Sequence, residues 1–337
     1  MAWPRFARPI ASSCWKAAAS PRSVHLRPCS NTATGATTCL PASSAGRCRV
    51  SRRRSDRHLS VISRVGRGGG GVVFIVWNHH TWCPMACKII GSQRRARREA
   101  SVLSALDHPN IVRFFGEARP AHLLMEYLDG PTLRRLIRTS RQRRLSVANA
   151  LRVAIHVGAA LTHVHERGFV HLDVKPSNVI VVGGRPVLVD FSTARPRTNR
   201  PVGYAAGTDL YMAPEQCRGG RVTPASDVYG LGATLYESLT GRSPFPEGTR
   251  RKPFPQLALS PLPLRSFAPA VPVALEKLVL ACLAPNPAAR PSMAELLPKL
   301  HEFIRTGPRM WPETVERARG RSRPVGRTAT RGMRRAA

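Results

Sequence analysis

Asp173-Val174-Lys175-Pro176-Ser177-Asn178 puts a carboxylate, an ammonium and a carboxamide within six residues, and Asp190 follows twelve residues after Asn178. Such a set can gather a proton acceptor, a cation and hard oxygen ligands for Mg²⁺ around one transferring phosphoryl group. A polar turn would account for the Asp and Asn alone, but not for the pattern upstream. There, Gly66-Arg67-Gly68-Gly69-Gly70-Gly71-Val72-Val73 fits G-x-G-x-x-G-x-V. β-Branched residues follow the glycines where a dinucleotide fingerprint would need a helix, so these glycines join two antiparallel strands. Such a hairpin can lay bare backbone over a nucleotide's phosphates, although four consecutive glycines make a floppy lid. Lys88 stands seventeen residues beyond Gly71, with Ala86 on the same face of its strand by period-2 alternation. It is the only Lys between positions 16 and 175, and Glu99 is the only acid between Asp56 and Asp107. In a chain this rich in Arg, a Lys retained there points to a need for a compact ammonium, oriented by Glu99.

The elements that must hold these groups run strands first and helices later. Residues 59–65, 72–77 and 82–90 are rich in Val and Ile and divided by Gly or Asn-His turns, and read as strands. Residues 94–106 read as a helix stopped by His108-Pro109; 111–115 and 122–126 return to strand. From Leu133 onward, apolar residues recur at helical spacing, most clearly over 147–165 and 228–239, with a strand at 179–182 after the Asp173 loop. The expected fold is α+β: a small antiparallel β-sheet lobe with one helix over 58–126, and a larger, mainly helical lobe over 127–304.

Of 337 residues, 53 are Lys or Arg and 19 Asp or Glu, a formal charge of +34; only six of the bases are Lys. That bias resembles a GC-rich coding sequence, so charge alone is weak support for nucleic-acid binding, and nucleic acid is not the expected partner. The eight Cys form no C-x-x-C pair, which excludes a zinc ribbon or a thioredoxin-type motif and suits a reduced, cytoplasmic compartment. No uninterrupted apolar run is long enough to span a membrane. Residues 1–57 and 305–337 are basic, acid-poor and without periodicity, and read as disordered arms. The first arm also has the composition of an organelle transit peptide or of a misassigned start.

The ordered set resembles the eukaryotic-type protein kinase family, most closely bacterial Ser/Thr kinases, over about three quarters of the chain. Its members are the glycine loop, Lys88, Glu99, Met125-Glu126-Tyr127-Leu128, His171 to Asn178, Asp190-Phe191-Ser192, Ala213-Pro214-Glu215 and Asp227. The resemblance implies a two-lobed kinase fold and transfer of the γ-phosphoryl group of MgATP to Ser or Thr hydroxyls of proteins. By it, Asp173 takes or orients the acceptor's proton, Lys175 stabilises γ-phosphoryl charge, and Thr208 bridges the two. Asn178 and Asp190 hold Mg²⁺, and Lys88, held by Glu99, binds the α/β-phosphates. Gly66, Gly68 and Gly71 cover the nucleotide. Backbone groups of Glu126 and Leu128 face adenine, Met125 guards the back pocket, and Val73, Ala86 and Ile180 sandwich the base. Leu103, Phe114, His171 and Phe191 stack between the lobes, rooted at Asp227, and Glu215 pairs with Arg290.

Two positions depart from the family pattern. Leu172 stands where an Arg commonly receives an activation-loop phosphate, which puts that route of control in doubt. Ser192 stands in place of the Gly of Asp-Phe-Gly. Self-phosphorylation at Thr193, Thr198 or Thr208 remains an expectation, with arginines nearby to take the charge. Two rivals from other classes are a pseudokinase acting as an ATP-binding scaffold and a basic adaptor working through its arms.

Overall fold

The structure is a computed structural model that describes residues 58–305 except 69, 199–200, 204–206 and 250–252. The expectations for 1–57 and for the tail beyond 305 lie outside the described residues. All described residues belong to one unit of the chain, Arg52–Ala337.

Alternation of branched residues with glycine turns yields β1 (Leu59–Gly68), β2 (Gly71–Asn78) and β3 (Cys83–Ile89). With β4 (Phe114–Arg119) and β5 (His122–Glu126) they form one antiparallel sheet in the order β1-β2-β3-β5-β4. Between β3 and β4 runs α1 (Gln93–Ser104), capped by the Ser92 hydroxyl accepting from the Arg95 N–H at 3.5 Å. Its inward face is Ala96, Glu99, Ala100, Val102 and Leu103. The strand expected over 111–115 begins only at Phe114. Ile111 and Val112 instead run beside Leu188 in the large lobe, where Val112 N–H meets Leu188 O at 3.0 Å and Leu188 N–H meets Asn110 O at 2.8 Å. Apolar pattern marks these residues as buried; tertiary hydrogen bonding decides which lobe pairs with them.

The large lobe comprises α2 (Leu133–Thr139), α3 (Val147–Glu166), β6 (Phe169–Val170), β7 (Val179–Val182), β8 (Arg185–Leu188), β9 (Arg195–Pro196), α4 (Pro214–Cys217), α5 (Pro224–Thr240), α6 (Val273–Cys282) and α7 (Met293–Arg305). β7 pairs with β8 and β6 with β9, both antiparallel. α3 has the length and mean hydropathy of a membrane-crossing segment, yet half of it is buried, packed against α5 and α7. α5 starts four residues before its apolar periodicity does, because Thr223 caps Ala225 N–H at 3.3 Å and Pro224 occupies the first turn. It ends at Gly241, whose φ of +74° lets its N–H close on Glu237 O at 2.7 Å.

One apolar core runs from Ile90 and Leu103 in the small lobe through Leu123, Leu188 and Phe191 to Tyr236, Leu275 and Leu300 in the large one. A buried ion pair crosses the large lobe. Arg290 donates from Nη1 and Nη2 to the two Glu215 oxygens at 2.7 and 2.8 Å, Ser226 Oγ adds a third bond to Glu215 at 2.7 Å, and the guanidinium lies 5.0 Å from the Tyr229 ring. Arg290→Ala would strand the Glu215 carboxylate, so a loss of about 3–5 kcal/mol is expected. Calorimetry should show a melting temperature lowered by on the order of 10 °C.

Candidate active site

Lys88 enters the cleft from β3 and is itself buried, as is Glu99 on α1. Its Nζ lies 2.6 Å from Glu99 Oε1 and 2.7 Å from Asp190 Oδ1, so one ammonium joins the small lobe's helix to the segment after β8. Burial on its own would raise the Asp190 carboxyl, but the Lys88 charge and the hydrogen bonds of Lys88 and Ser192 hold it down at about 2. Burial would likewise lower Lys88, and its two carboxylate neighbours raise it instead, so it stays charged. Glu99 is raised, since its burial outweighs the attraction of Lys88.

Asp173 lies on the loop between β6 and β7, 7% exposed. Lys175 Nζ sits 2.6 Å from Asp173 Oδ2 and also donates to the Thr208 hydroxyl, which in turn donates to Asp173 Oδ1 at 2.7 Å. Asn178, held in a turn with Pro176, donates from Nδ2 to Asp173 O and Oδ2 at 3.0 Å each. Lys175, Thr208 and Asn178 therefore fix the carboxylate from three directions.

The loop's backbone is held from beneath. Asp227, wholly buried in the first turn of α5, accepts from His171 N–H at 2.9 Å, Leu172 N–H at 2.7 Å and His165 Nε2 at 2.7 Å. Leu172 has φ +68°, a conformation that costs a branched side chain energy, and these bonds keep it there. Its carbonyl accepts from Gln216 Nε2 at 2.9 Å. His171 is buried and packs edge-on to Phe191 with ring centroids 4.7 Å apart; burial lowers its pKa and keeps the imidazole neutral. Leu103 and Phe191 sit in the same core, with Phe114 against it.

Asp190 also takes a positive φ, +62°, whereas Ser192 does not. Ser192 therefore fits this backbone without strain, its N–H on Asp190 Oδ1 at 3.3 Å and its carbonyl accepting from Arg98 Nη2 at 2.9 Å. The Gly-to-Ser departure leaves this arrangement intact.

The glycines differ in what they permit. Gly66 and Gly68 face open space. A Cβ on Gly70 would lie 2.9 Å from Lys88 Nζ and 3.1 Å from Asp190 Oδ1, so the loop tip rests on the ion pair. Gly71 has φ +141°, and a Cβ there would meet Ile89 O at 2.3 Å. Val73 lies opposite Lys88 on β2, Ala86 opposite Met125 across β3 and β5, and Ile180 on β7 below. Glu126 N–H is taken by Arg113 O at 2.8 Å, and Leu128 O accepts from Gly130 N–H at 3.1 Å.

The donor set fits a nucleotide-bound divalent cation. Asn178 spends its amide nitrogen on Asp173, so its carbonyl oxygen is the remaining ligand atom, and Asp190 accepts from Lys88 Nζ and Ser192 N–H through Oδ1. Two protein oxygens are what Mg²⁺ takes when phosphates and water complete its shell. Among the described residues no group of three or more His, Cys, Asp or Glu forms a closed metal site.

Sequence reading did not single out His165, Gln216 or Arg98. Each acts through backbone groups or through a partner more than forty positions away. The only local sign was a polar residue due for burial beside Ala213-Pro214-Glu215.

A family model described as the protein kinase domain matches residues 59–303. The chain is 32% identical over 262 residues to the serine/threonine-protein kinase PrkC of Bacillus subtilis, covering 73% of this chain and 40% of that protein. It is 33% identical over 247 residues to PknA of Mycobacterium tuberculosis, covering 67% and 56%. To PknB of Mycobacterium leprae it is 35% identical over 209 residues, covering 58% and 33%. The chain thus spans about half or less of the length of these curated relatives.

Three substitutions test this geometry. Gly71→Ala should cost about 2 kcal/mol of stability, from its backbone clash and positive φ, where Gly66→Ala costs nothing measurable by denaturant unfolding. Lys88→Met should let Asp190 titrate well above about 2, followed through its carboxyl carbon shift.

Proposed function

This chain belongs to the protein kinase family, and on that premise we propose that it is a serine/threonine protein kinase that moves the γ-phosphoryl group of ATP to Ser or Thr hydroxyls of proteins. The observation that carries this reading is the Asp173 carboxylate bracketed by Lys175, Thr208 and Asn178, one loop away from the Lys88–Glu99–Asp190 chain. The family uses ATP with a divalent metal. In this chain Asn178 and Asp190 would hold Mg²⁺, which supplies charge neutralisation at the phosphate oxygens. The glycine loop covers the phosphates and Lys88 pairs with those nearest it. The Glu126 carbonyl and Leu128 N–H meet the adenine edge, with Val73, Ala86 and Ile180 against its faces and Met125 behind.

Asp173 accepts the proton of the acceptor hydroxyl as its oxygen bonds to the γ-phosphorus and the bond to the β-phosphate oxygen breaks, releasing ADP. Lys175 shares its ammonium between Asp173 and the developing charge. Thr208 positions the acceptor segment by tying it to both groups. Of the three candidate self-acceptors, Thr208 is bonded to Asp173 and Lys175, and Thr193 donates to His171 O at 3.0 Å. Thr198 is exposed beside an open cavity of about 520 Å³ lined by Arg197, Arg221, Thr223 and Pro224, and is the residue we assign. Residues 58–304 form the proposed catalytic unit, and the cytoplasm its place of work.

Labelled γ-phosphate should pass from ATP and Mg²⁺ to the full chain and to a generic basic protein. Asp173→Asn should lower the rate by roughly 10²- to 10⁴-fold. Folded wild-type protein that binds nucleotide but transfers nothing would instead support the scaffold reading, with Ser192→Gly as the variant to follow.

A further inference from the structure

Leu172 is not an empty replacement for an arginine. Its side chain is 3% exposed and sits in a small apolar cluster separate from the main core, made with Val170, 0% exposed, and Val222, 4% exposed. The fourth member is Val202, from the segment between Asp190 and Ala213 that must present the acceptor. Three stretches of chain meet there: β6 with the loop bearing Asp173, the segment carrying Thr208, and the link between α4 and α5. The meeting is fixed in backbone as well. Val202 N–H donates to Gly220 O at 3.0 Å and Gly203 N–H to Gly219 O at 2.8 Å. Leu172 has its N–H on Asp227 and its carbonyl on Gln216, so its side chain has one direction to take.

The cluster is built from Val and Leu alone. A cation at 172 would enter it with no acid among these four residues to meet it, and none of the four offers a cation to a phosphate. Apolar contact needs neither a counter-ion nor a covalent modification. The charge that a kinase commonly uses at this junction has thus been exchanged for packing on both sides, at 172 and at 202. Arg197 and Arg221 line the cavity beside Thr198, outside this cluster.

We propose that Leu172, Val202 and Val222 form an apolar clasp that holds the acceptor-presenting segment in its working form without phosphorylation. The inference rests on the kinase reading above and deepens it, because it makes the enzyme active as synthesised, with control exerted elsewhere than on this segment. Val202 and Val222 are positioning residues: they touch no reacting atom and act through Leu172 and the adjoining Asp173.

The test uses the full chain, dephosphorylated by a phosphatase with the result verified by mass. Turnover of a generic basic substrate should stay within twofold of the untreated protein, and Thr198→Ala should behave the same. Val202→Asp should lower kcat at least tenfold while leaving the dissociation constant of a non-hydrolysable ATP analogue unchanged. Leu172→Arg with Val202→Asp should recover much of that loss, since a charge pair then replaces the apolar one. Hydrogen exchange supplies a readout that needs no catalysis. The amides of Val202 and Gly203 should be protected in the dephosphorylated wild type and exchange at least tenfold faster in Val202→Asp. Exposed amides at 202 and 203 in the dephosphorylated wild type, a tenfold fall in turnover on dephosphorylation, or full activity in Val202→Asp would each overturn the clasp. Protected amides in a wild type that transfers no phosphate would uphold the clasp and overturn the kinase reading instead.

Discussion

A carboxylate with no exposed surface at the head of α5 fixes the loop on which the chemistry stands. Asp227 accepts from two consecutive backbone N–H groups and from His165. Burial penalises its charge, yet His165, the donors of the loop and the helix N-terminus favour the ionised form, and its pKa is lowered. The backbone conformation it holds at Leu172 is one the residue would not adopt alone. Asp173 is the next residue, so its direction toward Lys175, Thr208 and Asn178 follows from a contact made on the far side of the loop.

The chain's scarcity of acids makes their placement informative. With 19 acidic residues among 337, five are spent on the internal joints: Glu99, Asp173, Asp190, Glu215 and Asp227. Each meets a cation or backbone donors inside the protein. Net charge, set by the Arg-rich composition, is a poor guide to function here, while the buried carboxylates are a good one.

Lobe coupling has three carriers. Lys88 bridges Glu99 and Asp190 by charge, and Leu103, Phe114, His171 and Phe191 bridge the same span by packing. Arg98 adds a third tie from α1 to the Ser192 carbonyl. Because Ser192 needs no positive φ in this arrangement, its difference from glycine does not oppose it.

Local sequence determined the order of the strands and helices, the glycine hairpin, and the identity of Lys88, Glu99, Asp173, Asn178 and Asp190. Periodicity, turn residues and short-range spacing are physical constraints that act within a few residues, so they are legible one segment at a time. The departures at Leu172 and Ser192 were equally plain as letters. Their meaning was not. That Leu172 meets Val202, that residues 111–112 join β8 and not the small sheet, and that Gln216 and His165 brace the catalytic loop were decided by tertiary structure. Those contacts join residues thirty or more apart, or strands with more than one available neighbour, and which pairing wins depends on what the whole core buries together.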